Sequence, residues 1–84
     1  MATVVVRTAT TTGTTTVSAM CGLGEVAVAG GVSVSNSNKD LRSSGPAISA
    51  TAFAVAGQIP LGWRGNSNGN SGDITTVYAV CASP

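Results

Sequence analysis

Two segments of the sequence resemble each other, and each ends in a cysteine. Residues 14–21 read TTTVSAMC and residues 74–81 read ITTVYAVC, so five of the eight positions match. In both segments every second residue, up to and including the cysteine, would share one face of a strand. The match predicts two strands in equivalent settings that each deliver a thiol, and chance in a chain rich in Thr, Val and Ala is the alternative.

Cys21 and Cys81 are the only cysteines of the chain. An even pair in a small domain predicts a structural disulfide, with buried free thiols as the alternative. Closing a loop of about 60 residues would stabilise the fold by roughly 4 kcal/mol in the chain-entropy description. The two thiols would meet most easily if their strands run parallel or face each other across a sandwich.

The hydrophobic side chains of this chain are small. Of its 84 residues, 12 are Ala and 11 are Val, whereas only three are aromatic: Phe53, Trp63 and Tyr78. A domain of this length buries little apolar area, so a disulfide or an oligomeric interface is the usual supplement. We therefore predict one domain over residues 1–84, an all-β, small antiparallel β-sandwich or barrel-like domain of about six strands that is oligomeric.

Residue pattern places the strands unevenly along the chain. Residues 3–10 and 14–20 are β-branched around a Gly13 turn and predict an N-terminal hairpin. Residues 47–55 and 73–81 predict two more strands, whereas residues 41–46 read as irregular chain and residues 64–72 as a long hairpin loop.

The run from Val26 to Ser35 contains two adjacent glycines, Gly30 and Gly31. Val26, Val28, Gly30, Val32 and Val34 would share one face, which favours a single strand with a notch free of side chains at the glycines. Such a notch would permit a close backbone approach or a bulge. Two strands joined by a Gly-Gly turn are the alternative.

Several classes of function are disfavoured by residues that the chain lacks. It has no His, its three carboxylates are scattered, and no Lys-Ser or Lys-Thr follows its glycines, so an enzyme, a metal site and a cofactor are not expected. A net charge of +1 with four basic residues argues against nucleic acid or a membrane as partner. We also expect no signal peptide and no membrane-spanning segment.

Short motifs along nearly the whole chain resemble a small domain that recurs in actinobacterial surface or fibre-type proteins and in phage virion proteins. These motifs are a cysteine followed by GxGEVAVAGGVSVS, then LRSSGP at 41–46, Gly62-Trp63, and VYAVC at 77–81. The family pattern has Pro-Ala after the first cysteine, where this chain has Gly22-Leu23, and three glycines where this chain has two. The resemblance implies a structural role and no catalytic residues.

The resulting expectation is a non-enzymatic structural protein of an extracellular assembly. Most simply it is a bacteriophage virion component, a capsid decoration or tail-associated protein, made in the host cytoplasm and later extracellular. We expect a homo-oligomer, with a trimer as the guess, that packs on other virion or surface proteins. The alternatives are a secreted surface domain or a fibre-tip module that binds a host glycan. The surface for that glycan would comprise Trp63, Arg64, Asn66, Asn68, Asn70 and Tyr78, unless Trp63 belongs to the core, as its size suggests.

Overall fold

The computed structural model describes residues 3–84, which form seven β-strands and no helix. Residues 1 and 2 of the predicted domain lie outside the described residues. The strands are β1 (Thr3–Thr12), β2 (Val17–Met20), β3 (Val26–Val34), β4 (Leu41–Ser49), β5 (Ala52–Phe53), β6 (Gly62–Ser67) and β7 (Ile74–Ser83). None of residues 3–84 belongs to a helix long and apolar enough to cross a membrane.

The strands form two antiparallel sheets, which confirms the all-β class. The first sheet has the order β1-β7-β3 and the second has the order β2-β6-β4-β5. β1 and β2 lie in different sheets, so the predicted N-terminal hairpin is wrong. β1 instead pairs along its whole length with β7, which is the last strand of the chain.

The core lies between the sheets and is built mainly on β7. Its inward residues Thr75, Val77, Ala79 and Cys81 are all fully buried, as the alternation of the sequence predicts. Ala19 of β2 completes the buried cluster, and six half-buried residues pack around it: Val5, Ala9, Val17, Cys21, Val32 and Trp63. A core of such small side chains buries little apolar area.

β3 is a single strand, as predicted, but its residues do not keep one parity. A bulge lies between Ala27 and Ala29, where the pairing with β7 shifts. Before the bulge, Val26 is exposed and Ala27 is buried, and Val28 in the bulge itself is exposed. After it, Gly30 and Val32 face the other sheet, so the prediction that all five alternate residues share a face is wrong for the two valines.

Three other predicted boundaries are also wrong. The strand predicted over residues 47–55 is divided, because β4 ends at Ser49 and β5 comprises only Ala52–Phe53. Residues 41–46 belong to strand β4 rather than to irregular chain, and residues 62–67 form β6, one of the two inner strands of the second sheet. The segment between Ser67 and Ile74 therefore crosses from one sheet to the other and does not close a hairpin.

The predicted disulfide between Cys21 and Cys81 is present and links the two sheets. Cys21 directly follows β2, Cys81 lies within β7, and their Cα atoms are 5.7 Å apart. The cysteines thus face each other across the sandwich, which was one of the two arrangements expected.

Candidate functional site

The six residues predicted to form a binding surface lie in four separate places. Trp63 points inward from β6 and packs against the core. Tyr78 lies on the outer face of the first sheet, whereas Arg64 lies on the outer face of the second. Asn66, Asn68 and Asn70 lie at the end of β6 and in the loop after it.

Gly30 allows the indole ring of Trp63 to lie directly against the β3 backbone. A Cβ at Gly30 would overlap the ring atoms Cγ, Cδ2 and Cε3 of Trp63. The indole Nε1–H donates a hydrogen bond of 2.9 Å to the Ser44 hydroxyl on β4. The ring is therefore held against the β3 backbone on one side and at its nitrogen by Ser44, and it is half-buried in the core rather than displayed on the outer surface.

On the opposite face of β3, Gly31 allows the Tyr78 ring to lie close to the strand backbone. The two residues are direct cross-strand partners, and a Cβ at Gly31 would overlap the hydroxyl end of the Tyr78 ring. Tyr78 remains 39% exposed, and its partner on the other side is Thr8 of β1. The two glycines thus place one aromatic ring on each face of a single strand, a half-buried one on the inner face and a more exposed one on the outer face.

Arg64 is held against the outer face of the second sheet by hydrogen bonds and an aromatic contact. Its Nη1 donates 3.0 Å to the Ser18 hydroxyl and 2.9 Å to the Ala50 carbonyl, and its guanidinium lies 5.5 Å from the centroid of the Phe53 ring. Its Nε is buried without a hydrogen-bond partner among the described residues. Arg64 therefore ties β2, β5 and the turn at Ala50 to β6.

The asparagines order their own segment. Asn66 accepts a hydrogen bond of 2.9 Å from the Ser43 hydroxyl and donates one of 2.8 Å to Thr16 Oγ1. Asn68 exchanges hydrogen bonds with the Asp40 backbone through its side-chain oxygen and its N–H. These side-chain amides satisfy backbone and hydroxyl groups of the fold, so the segment is more ordered than its composition suggests.

A turn follows the asparagines and leads into β7. Asn70 N–H donates 2.8 Å to the carboxylate of Asp73, and Asp73 N–H donates 2.9 Å to the Asn70 carbonyl. At the start of the same segment, the buried hydroxyls of Ser67 and Thr75 lie 2.7 Å apart, and Ser67 also accepts from Gly69 N–H. The sequence carries no local signal for the hydroxyl pair, because its members come from different sheets.

An ion pair that the sequence pattern does not reveal lies beside the disulfide. Arg7 of β1 donates to both carboxylate oxygens of Glu25, at 3.2 and 2.9 Å, and Gly22 N–H donates to the same carboxylate at 2.6 Å. These hydrogen bonds, from Arg7 first and Gly22 second, hold the pKa of Glu25 below its ordinary value. The partnership likewise raises the pKa of Arg7.

A shallow cavity of about 390 Å³ opens next to these groups. It is lined by Met20, Cys21, Gly22, Leu23, Gly24, Glu25 and Leu61. Cys21, Glu25 and Cys81 are the one group of metal-ligand types that residues 3–84 bring together. The sulfurs of Cys21 and Cys81 are joined to each other in the disulfide, so neither is a free thiolate that could bind a metal ion.

Comparisons of the chain with protein-family models, with curated proteins and with solved structures find no match.

Proposed function

We propose that this chain is a non-enzymatic structural protein of an extracellular assembly, specifically a capsid decoration or tail-associated component of a bacteriophage virion. The observation that supports it best is the contrast between a minimal core and the exposed valines of the first sheet. Among residues 3–84 only six hydrophobic residues are buried, whereas Val4, Val6 and Val28 are each about 60% exposed. A domain that leaves such side chains exposed on one sheet is suited to packing against neighbours.

The available side-chain chemistry favours the same function. The sequence has no His, and two of its three carboxylates lie in structural contacts: Glu25 with Arg7, and Asp73 with the Asn70 N–H. General acid-base or nucleophilic catalysis needs a titratable group near a second one that activates it. Among the described residues, the carboxylates of Glu25 and Asp73 instead form hydrogen bonds that stabilise the fold.

The disulfide is compatible with an oxidising or extracellular location, because such bonds persist there and are reduced in most cytosols. In the proposed role, the chain is made in the host cytoplasm and the bond forms or is retained in the released particle. A secreted surface protein is the competing source of such a domain, and a signal peptide encoded by the parent gene would favour it.

Particle association tests the proposal. Particles released from the producing cells are purified on a density gradient, and each fraction is probed with an antibody raised against the recombinant chain. We expect the chain to co-sediment with the particles and to resist a high-salt wash. Recovery solely in the soluble fractions would refute the structural role.

A second candidate function, glycan binding, is favoured by Tyr78 alone. The hydroxyl end of its ring lies against Gly31 and its cross-strand partner is Thr8, so a partly exposed aromatic ring stands next to a hydroxyl, a pairing that suits the stacking of a sugar ring. Tyr78→Ala should then abolish binding on a glycan array. Phe53→Ala is the matched control, because Phe53 is about equally exposed on the other sheet. Equal loss in both variants, or no binding by the wild type, would remove this candidate.

A further inference from the structure

The outer edge of β1 is a long backbone ladder without a partner. β1 pairs with β7 from Thr3↔Ser83 to Thr12↔Ile74 without a break, and no other described strand pairs with it. Proteins usually protect such an edge with Lys, Pro, a bulge or a short strand. β1 has none of these features over its ten residues.

The single charged residue of β1, Arg7, does not prevent another strand from pairing with the edge either. The guanidinium of Arg7 is committed to the carboxylate of Glu25 through two hydrogen bonds within the same chain. A strand that approaches this edge therefore meets free backbone groups and nine uncharged residues, and the one charged residue, Arg7, is already paired with Glu25. Such an edge accepts an added strand.

The outward side chains of β1 extend an apolar surface of the first sheet. Val4 lies in a cross-strand row with Ala82 and Val26. Val6 lies in the next row with Val80 and Ala29. Both rows end at the free edge, where Val4 and Val6 are 59% and 61% exposed. A partner that continued these rows would cover the valines at the edge itself.

Two copies of this edge can pair antiparallel about a two-fold axis only in registers that keep the outer faces on the same side. Near the middle of β1 these registers place Val6, Arg7 or Thr8 opposite itself. Centring on Arg7 sets two guanidinium groups against each other, which is unfavourable. Centring on Thr8 sets Val6 against Thr10 and Val4 against Thr12, so it separates the apolar rows.

We propose that a second copy of this chain pairs with β1 in the register centred on Val6, and so makes a continuous six-stranded sheet. In this register the row Ala29–Val80–Val6 runs directly into the row Val6–Val80–Ala29 of the second copy. Residues 3–9 of the two strands pair, and Arg7 lies opposite Val5. This contact names a partner surface for the assembly role proposed above and rests on that role for its use in the particle.

Cysteine cross-linking tests the register directly. Opposed residues of an antiparallel pair have Cα atoms about 4.5–5.5 Å apart, which suits a disulfide. Val6→Cys should therefore give a covalent dimer on mild oxidation, and mass spectrometry should identify the peptide pair joined through position 6 of both copies. Thr8→Cys is the control, since its two copies would lie roughly 13 Å apart in this register. Cross-linking through position 8 but not position 6 would overturn the proposal.

Light scattering after size exclusion, across about a hundredfold range of loading concentration, tests the affinity. We expect the wild type to pass from monomer to dimer, with a Kd of about micromolar or weaker for so small an interface. Val6→Lys sets two ammonium groups face to face and should weaken the dimer at least about tenfold. Thr10→Lys, outside the paired segment on the same face of β1, should leave it within about twofold. Melting curves confirm that the variants fold.

The remaining outcomes are also decisive. A wild-type monomer at every concentration, a trimer, or a monomer that binds solely another particle protein would overturn the β1 contact. A monomer that still co-sediments with particles would overturn this contact alone and leave the structural role standing. A dimer that is absent from particles would leave the β1 contact standing and would overturn the structural role.

Discussion

At the scale of single residues, Gly30 is tightly constrained, because an added Cβ would overlap the Trp63 ring. Its neighbour Gly31 faces the opposite way, against the exposed hydroxyl end of Tyr78, which can swing aside. Trp63 cannot do so, because its indole Nε1–H is bound to Ser44 and its ring lies between the sheets. The same Gly-to-Ala change at adjacent positions should therefore have different effects.

We predict that Gly30→Ala lowers the free energy of unfolding by about 1–3 kcal/mol, because the new methyl group displaces the Trp63 ring. Gly31→Ala should change it by less than about 1 kcal/mol, because the loss of unfolded-state freedom offsets a small shift of Tyr78. Urea denaturation monitored by Trp63 fluorescence measures both. An equal cost at the two positions would show that the indole is not tightly held.

Glu25 gives the fold a dependence on pH. Its pKa is lower in the folded chain than the ordinary value of 4.5, so the stabilisation is fully present above that value. As the pH falls through the folded-state pKa, the carboxylate is protonated and the stabilisation is lost. We predict that the free energy of unfolding falls with acidification below about pH 4.5.

The matched variant is Glu25→Gln, whose stability should vary less with pH over the same range. Chemical denaturation at a series of pH values from neutral to about 2 compares the two proteins. Parallel curves for Glu25→Gln and the wild type would mean that Arg7 and Gly22 do not stabilise the ionised carboxylate.

At the scale of strands, β7 was predictable and β6 was not. The residues of β7 alternate between buried and exposed positions with a period of two, and β-branched residues are frequent, so local pattern and tertiary environment agree. β6 reads GWRGNS and contains neither a β-branched residue nor an alternation of apolar and polar residues. Its strand conformation is imposed by β2 and β4 on either side.

The glycines of β6 explain why its composition predicted a loop for residues that form a strand. A Cβ at Gly65 would meet Val32 and the Ser43 carbonyl, and one at Gly62 would meet the Ala19 carbonyl and the Met20 side chain. These residues let neighbouring chain segments approach closely, which is visible only after the sheets are assembled. The same holds for the predicted binding surface, because sequence proximity could not reveal that Trp63 and Tyr78 occupy different faces.

The hydroxyl pair that joins β6 to β7 gives a prediction at this scale. Thr75→Val keeps the shape of the residue but leaves the buried Ser67 hydroxyl without its 2.7 Å partner. We predict a loss of about 1–3 kcal/mol in the free energy of unfolding, measured by urea denaturation. Thr76→Val, one residue along on the outward face, should change it by less than about 0.5 kcal/mol. A similar effect of both substitutions would mean that the hydroxyl contact contributes nothing specific.

At the scale of the whole molecule, the disulfide compensates for the small core. It spans 60 residues of sequence and joins the second sheet to the central strand of the first. A cross-link of that span stabilises by roughly 4 kcal/mol through the unfolded chain. That amount is a large fraction of the total for a domain of this size.

We predict that reduction lowers the melting temperature by roughly 15–30 °C, since about 1 kcal/mol corresponds to 4–8 °C in so short a chain. Differential scanning calorimetry with and without a phosphine reductant measures the shift. The Cys21→Ala/Cys81→Ala double variant should melt at the lower temperature whether or not reductant is present. An unchanged melting temperature for the reduced wild type would contradict a stabilising role.

The pairing of Thr3 with Ser83 places the two ends of the described chain side by side. A force that pulls these ends apart would load the β1–β7 ladder in the unzipping direction, so its hydrogen bonds would break one after another. β7 is anchored close to that point, because Cys81 is bonded to Cys21 on the other sheet. Under load, β1 would therefore detach first. The rest of the sandwich would resist the force as one mechanical unit, because the Cys21–Cys81 disulfide joins its two sheets covalently.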